Sequence, residues 1–158
     1  MAFIPDSWNR EAKIRQVFFF QAGFVDKGVL KSGWSRPKSW GTWSKGKKST
    51  LVIDLDEPHD GDLELEFEFR PFFAGAHQSQ RVELSVNGTL IDTWKLRPTR
   101  RQWSQRRVRI AKNIWNAIRP AEIIFVYSEP KSPKELGVSK DRRRLAIGLK
   151  TLTIHALF

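Results

Sequence analysis

The chain of 158 residues contains no cysteine. Disulfide scaffolds, thiol nucleophiles and cysteine-ligated zinc sites are therefore excluded. The three histidines are scattered and lack the paired spacing of a metal-binding helix, so the sequence predicts no metal site and no cofactor. The longest apolar run, residues 17–25, is far shorter than the roughly 20 residues that cross a bilayer. We therefore expect a cytoplasmic protein with no signal peptide and no membrane insertion.

Acidic residues are outnumbered, because 28 Lys and Arg stand against 17 Asp and Glu and give a net charge of +11. An apolar content of 40% with seven tryptophans is typical of a folded domain. The length predicts one domain over residues 1–158, with an N-terminal extension at 1–28 and a core domain at 29–158. Residues 95–119 hold nine basic and no acidic side chains, whereas residues 51–92 hold ten acidic ones. We expect oppositely charged surfaces.

Strict alternation of apolar and charged residues runs through residues 62–70. It places four apolar side chains on one face and three glutamates on the other, as in a half-buried strand. The apolar face is Leu63, Leu65, Phe67 and Phe69, and the other is Glu64, Glu66 and Glu68. Shorter strand patterns occur at residues 50–55, 81–86, 90–96, 105–110, 122–127 and 145–155. Strands without alternating helices predict an all-β fold, an antiparallel two-sheet β-sandwich of the jelly-roll or immunoglobulin-like type.

The dipeptide Asn87-Gly88 separates two of these strand patterns. Asn and Gly accept the positive φ angles of a type I′ turn, so residues 81–96 are predicted to form a β-hairpin. Helical signals are confined to a short N-terminal helix at residues 7–17 and a turn-like piece at residues 112–118. Neither is long enough to form a helical layer.

Two further segments have the character of sequence signatures. Residues 33–44 carry three closely spaced tryptophans among glycine and proline, and residues 132–149 contain an Asp-Arg-Arg-Arg run. With Asn-Gly between them, this order resembles a β-sandwich, carbohydrate-binding-like accessory domain of bacterial cell-surface polysaccharide biosynthesis, often fused to glycosyltransferases. The matching residues are Gly33, Trp34, Pro37, Trp40, Gly41, Trp43, Ser44, Asn87, Gly88, Pro133, Leu136, Gly137, Ser139, Asp141 and Arg143. Lys38 stands where the pattern often has an acidic residue.

The resemblance implies a non-catalytic module that acts in the biosynthesis or recognition of bacterial surface polysaccharide. Its expected partners are a polysaccharide or oligosaccharide, with anionic glycans among the candidates, and a glycosyltransferase. The resemblance carries no catalytic residue.

The residues of the first signature allow two interpretations. Trp34, Trp40 and Trp43 could stack on the C–H faces of sugar rings, or they could be large fillers of the core, Trp43 above all. In the second signature, Asp141 and Arg143 could bind sugar hydroxyls, although a role in stabilising the turn by pairing with each other is favoured. We expect the two signatures to be neighbours in space.

A basic stretch interleaves cations with Trp94, Trp103 and Trp115. The cations of this stretch include Arg100, Arg101, Arg106, Arg107 and Arg109. Phosphate neutralisation together with stacking platforms would suit nucleic acid, but a solvated basic face or a contact with anionic polysaccharide explains the same composition. A nucleic-acid-binding protein and a structural oligomerising domain therefore remain alternatives to the carbohydrate-binding module.

An enzyme is not predicted. Glycosidase chemistry needs two carboxylates facing one bond, and the glutamates of residues 62–70 have the spacing of an ordinary solvated strand face. No nucleophile triad, phosphate loop or dinucleotide fingerprint is present in the sequence.

Overall fold

The computed structural model describes residues 12–26 and 28–157. Within them the chain forms ten strands and one short helix. The elements are β1 (Ala12–Phe19), β2 (Leu30–Ser32), β3 (Thr42–Trp43), β4 (Lys48–Ile53), β5 (Leu63–Pro71), β6 (Gln80–Val86), β7 (Thr89–Leu96), β8 (Ser104–Ile110), α1 (Lys112–Trp115), β9 (Ala121–Tyr127) and β10 (Ile147–Leu157). The seven strands predicted after residue 49 and the turn-like helical piece are confirmed.

The strands form two antiparallel sheets, which confirms the predicted β-sandwich. Sheet 1 has the order β1-β10-β5-β8, and the short β3 pairs with the first residues of β10. Sheet 2 has the order β2-β4-β9-β6-β7. Because the chain changes sheet at most of its connections, residues far apart in sequence become neighbours on sheet 1.

The core lies between the sheets and is rich in aromatic rings. The inward side chains of β5 are at most 1% exposed, as the alternation predicted. Phe69 stacks on Trp94 with ring centroids 5.1 Å apart, and Phe67 meets Phe125 edge to face at 5.5 Å. Each fully buried large side chain contributes roughly 1.5–3 kcal/mol by leaving water.

Asn87 and Gly88 form the predicted tight turn between β6 and β7, with φ angles of 49° and 85°. The Asn87 amide also acts beyond the turn. It donates hydrogen bonds to the carbonyls of Ile114 and Trp115 at 2.8 and 2.9 Å, while its oxygen accepts one from the Glu122 N–H at 2.8 Å. One side chain thus joins the hairpin, α1 and β9.

The predicted helix at residues 7–17 is wrong over its described part, because residues 12–19 form strand β1. Residues 7–11 lie outside the described residues. Strand β1 pairs with β10 from Ala12 opposite Leu157 to Phe19 opposite Thr151. The edge of β10 supplies backbone partners that a local helical pattern does not reveal, so the expected extension at 1–28 contributes a strand to sheet 1.

Helix α1, the single helix of the described residues, is far too short to span a membrane.

Candidate functional site

Three tryptophans surround one arginine on the outer face of sheet 1. Arg70 follows the buried Phe69 on β5, so its side chain points away from the core. Its Cζ lies 3.9 Å from the ring centroid of Trp40, 5.0 Å from that of Trp43 and 5.2 Å from that of Trp103. These are cation–π distances. We call these four residues the tryptophan cluster.

Strand pairing explains why these residues meet. Trp43 on β3 lies opposite Gly148 on β10, and Gly148 lies opposite Arg70 on β5. Trp103 directly precedes β8, the neighbour of β5 on its other side. The cluster therefore extends from β3 across β10 and β5 to the start of β8, and its members come from three separate parts of the sequence.

Gly148 makes room for the Trp40 ring. A Cβ at this position would lie 2.6 Å from Cη2 of Trp40 and 3.1 Å from Cε3 of Trp43. Both distances are shorter than ordinary van der Waals contact, so a side chain here would displace the indoles. The Trp40 ring meets Trp43 edge to face at 5.0 Å and lies 5.9 Å from Trp103, and all three rings are half-buried.

Arg70 has no carboxylate partner among the described residues, and its buried Nε atom has no hydrogen-bond partner there. Burial lowers the pKa of the Arg70 guanidinium, which nevertheless stays charged at neutral pH. The neighbouring Lys150 differs, because its Nζ lies 3.4 Å from the Glu68 carboxylate and 4.8 Å from the centroid of the Trp103 ring.

The carboxylates on the rest of the outer face of β5 are paired with basic side chains. Arg107 pairs with Glu64 at 3.3 Å and with Glu66 at 3.2 Å, and His155 contacts Glu66 at 3.0 Å. Burial acts to raise the pKa of Glu66, but the hydrogen bond with His155 and the charge of Arg107 outweigh it, and the pKa lies below its usual value. These glutamates point outward as predicted, yet they are half-buried rather than fully exposed.

Trp34 is half-buried, packs against the core and is not part of the cluster. Its indole N–H donates to the Thr50 carbonyl at 2.9 Å, and its ring meets Phe125 edge to face at 6.1 Å. The preceding Gly33 has a φ of 77°, and a Cβ there would collide with the Lys48 carbonyl oxygen. The Gly-Trp pair of the signature thus fastens this segment onto β4.

Asp141 and Arg143 bind each other, which is the turn-stabilising arrangement. Arg143 donates to both carboxylate oxygens of Asp141 from its side chain, at 2.6–3.0 Å, and its backbone N–H donates at 2.9 Å. These hydrogen bonds hold the pKa of Asp141 below its usual value, and those from the Arg143 side chain have a larger effect than the one from its backbone. The positive charge of Lys38 lowers the pKa further.

The two signatures are connected through their ends. Ser44 Oγ accepts hydrogen bonds from the N–H groups of Ala146 and Ile147, both at 3.0 Å. The N–H of Gly46 donates to the Arg144 carbonyl at 2.9 Å. Much of the shared sequence pattern therefore has an architectural explanation.

The basic stretch is divided among several environments. Arg107 is paired with glutamates, and Arg109 pairs with Asp62 at 3.1 Å. Arg100 and Arg101 are exposed in the β7–β8 loop, and Arg106 donates to the neighbouring backbone carbonyl of Gln105. Of the three tryptophans in this stretch, Trp94 and Trp115 are buried at 3% and 6% exposure. Only Trp103 reaches the surface, where it joins the tryptophan cluster.

Sequence reasoning placed Trp40 and Trp43 among the candidates, but its expectation that Trp43 above all fills the core is wrong, because β3 pairs with β10 and the half-buried Trp43 ring contacts Trp40 and Arg70 on the outer face. It did not select Arg70 or Lys150, and it assigned Trp103 to a different kind of surface. A weak signal was available for Arg70. In the alternating pattern of β5, the three outward positions before it are glutamates, and Arg70 is the first outward position that carries a positive charge.

Residues 6–156 match the family described as "Domain of unknown function (DUF7024)". The chain belongs to the DUF7024 family. No curated protein matches this DUF7024 chain in sequence.

Solved structures with low sequence identity share its fold. The CBM22-1 xylan-binding domain from Paenibacillus barcinonensis Xyn10C is 10% identical with a TM-score of 0.51, and the match covers 93% of this chain and 96% of that one. The family GH115 4-O-methyl-alpha-glucuronidase BtGH115A, with specificity for decorated arabinogalactans, is 10% identical with a TM-score of 0.53 over 92% of this chain. Dimeric latent PorU from Porphyromonas gingivalis is 15% identical with a TM-score of 0.51, also over 92% of this chain.

The chain spans 18% of the glucuronidase and 13% of PorU, but nearly the whole xylan-binding domain. At these identities the likeness shows a common fold. The DUF7024 chain therefore shares its β-sandwich fold with these three solved structures.

Proposed function

We propose that the chain is a non-catalytic carbohydrate-binding module whose binding surface is the tryptophan cluster on sheet 1. The observation that carries this proposal is the grouping of three half-buried indoles on the outer face of a sheet. Three large aromatic rings outside the core remain partly in water, and such rings are typical of surfaces that bind ligands.

The chemistry of the cluster suits a sugar. The C–H face of a sugar ring packs against an indole, and polar groups beside it bind the hydroxyls. Lys150 and Glu68 lie next to the cluster, and Gln105 lies opposite Glu68 on β8. They provide both donors and acceptors within reach of a sugar that covers Trp103.

A binding role without catalysis agrees with the state of the carboxylates. Glu64, Glu66 and Glu68 each contact a cation, and none of these three is left as a free acid or base beside the cluster. The fold supports the same reading, because a xylan-binding domain has this architecture over its whole length.

We also propose a biological setting for the module. The signature residues resemble accessory domains of bacterial cell-surface polysaccharide biosynthesis, so we place the module in that setting, with a glycosyltransferase as its protein partner. A cytoplasmic location and a single domain over residues 1–158 are parts of the same proposal.

Affinity gel electrophoresis against a panel of neutral and acidic polysaccharides tests the proposal. The wild-type chain should be retarded by at least one glycan, and Trp103→Ala should weaken the retardation about tenfold, the equivalent of about 1.4 kcal/mol. Leu90→Ala is the matched control, since Leu90 is 57% exposed on β7 of the other sheet. A wild-type chain that no glycan retards, or a Trp103→Ala variant that binds like the wild type, would contradict the proposal.

A further inference from the structure

We infer that the tryptophan cluster recognises the carboxylate of an acidic sugar, and that Arg70 is the residue that binds it. This inference rests on the proposed function and names the class of ligand. It rests on the observation that the Arg70 side chain is half-buried and has no carboxylate partner among the described residues.

Arg70 differs from the other cations on the outer face of sheet 1. Lys150, Arg107 and Arg109 each have a carboxylate within 3.4 Å. Arg70 has none among the described residues, although it is half-buried and its Nε is shielded from water. The indoles stabilise this charge by cation–π contact, but a partly desolvated guanidinium also favours an anionic hydrogen-bond acceptor. An anion that enters the cluster would supply that acceptor.

The tryptophans give this cation a defined orientation. With Cζ 3.9 Å from the Trp40 centroid and about 5 Å from the other two rings, the guanidinium is confined on several sides. A confined side chain loses little further freedom on binding, which favours affinity. The guanidinium N–H groups form a planar fork that matches a carboxylate in a two-point hydrogen bond.

A uronic acid sugar combines the two features that the site can use. Its ring offers C–H groups to the indoles, and its carboxylate, attached to the same ring, offers two acceptors to Arg70. The net charge of +11 adds long-range attraction for a polyanionic chain. A neutral polysaccharide would cover the same indoles but would leave the guanidinium without a partner.

Titration calorimetry with oligogalacturonate and with its methyl ester tests the inference, because the ester keeps the sugar backbone and removes the charge. The acid form should bind the wild-type chain at least about tenfold more tightly than the ester, as expected for loss of a charge-assisted hydrogen bond. Arg70→Met retains an apolar stem against the indoles without charge or donors, and should bind the acid form at least about tenfold more weakly. Arg70→Lys should recover only part of this loss, because it keeps the charge but not the fork.

Arg101→Gln is the matched control, since Arg101 is an exposed cation in the β7–β8 loop and its loss changes the net charge equally. It should bind the acid form within about twofold of the wild type. An unchanged far-ultraviolet circular dichroism spectrum and a cooperative thermal unfolding transition establish that each variant is folded.

Equal binding of acid and ester, or an Arg70→Met variant as tight as the wild type, would overturn the inference. So would an equal loss in Arg101→Gln, which would indicate attraction by net charge alone. Binding of neutral glycans that depends on Trp103 but not on Arg70 would overturn the inference and leave the proposed function standing. Absence of binding to every glycan would remove both.

Discussion

Gly148 lies directly beneath the Trp40 indole, so closely that a Cβ at position 148 would stand 2.6 Å from Cη2. The two residues are 108 positions apart in sequence and meet because β3, which begins two residues after Trp40, pairs with β10 at Gly148. An absent side chain on one strand thus determines where a tryptophan from a distant loop can lie.

Gly148→Ala should therefore disturb the cluster while leaving the sheet in place. The added methyl group forces the Trp40 ring to shift, at a cost to the free energy of unfolding of about 1 kcal/mol. Near-ultraviolet circular dichroism should change, because the Trp40 and Trp43 rings lose their edge-to-face packing. Thr151→Ala, on the same strand, is the control and should leave this signal unchanged. An unaltered tryptophan spectrum in Gly148→Ala would disprove the close contact.

Trp34 should behave as a structural residue in mutagenesis. Trp34→Ala removes a half-buried ring that packs on Phe125 and should lower the free energy of unfolding by about 2 kcal/mol. Trp34→Phe keeps an aromatic ring and loses chiefly the hydrogen bond to the Thr50 carbonyl, so its cost should be about 1 kcal/mol. Urea unfolding measures both. A Trp34→Ala variant as stable as the wild type would mean that this ring does not contribute to the core.

The Asp141–Arg143 pair should stabilise the fold at neutral pH and not in strong acid. The pKa of the Asp141 carboxyl is lowered from its ordinary value of 3.8 by the Arg143 hydrogen bonds. A lowered pKa means that the stabilisation is complete above the ordinary value and is lost as the pH falls through the folded-state value. Asp141→Asn should accordingly be less stable than the wild type at pH 7, and the difference should shrink towards pH 2.

Urea unfolding at several pH values checks this behaviour, and Arg143→Gln should follow the same course because it removes the partner of the same carboxyl. Other carboxyls of the chain also have lowered pKa values, so the quantity of interest is the difference between variant and wild type. If the difference in unfolding free energy between Asp141→Asn and the wild type stays constant from pH 7 to pH 2, the Asp141–Arg143 pair is not its source.

The local sequence pattern was enough to predict a residue's structural role wherever that role depends on its immediate neighbours in the chain. The alternation through residues 62–70 placed Leu63 and Phe69 correctly inside, because successive side chains of a strand face opposite ways. Asn87-Gly88 formed the predicted turn because these two residue types tolerate positive φ. The Asp141–Arg143 pair is separated by one residue and needed no tertiary contact.

Strand β1 shows where local pattern failed. Residues 12–17 have spacing that is compatible with a helix, and their strand conformation is explained by the free edge of β10 beside them. That edge is formed by the last strand of the chain, so no window of sequence around residue 14 contains the information. Backbone hydrogen bonds with a distant partner outweigh a short, weak helical preference.

The sequence by itself determined the β-sandwich class, the register of β5 and the hairpin at Asn87, because each follows from the period of apolar residues or from the φ angles that single residues accept. Only the tertiary structure decided which tryptophans are buried and which form the cluster on the outer face. It also placed Arg70 among Trp40, Trp43 and Trp103, with no carboxylate partner in the part of the chain that the structure describes. The physical reason is that these residues come from β3 and the loop before it, from β5, and from the loop before β8. They meet only when the backbone hydrogen bonds of sheet 1 bring those segments side by side.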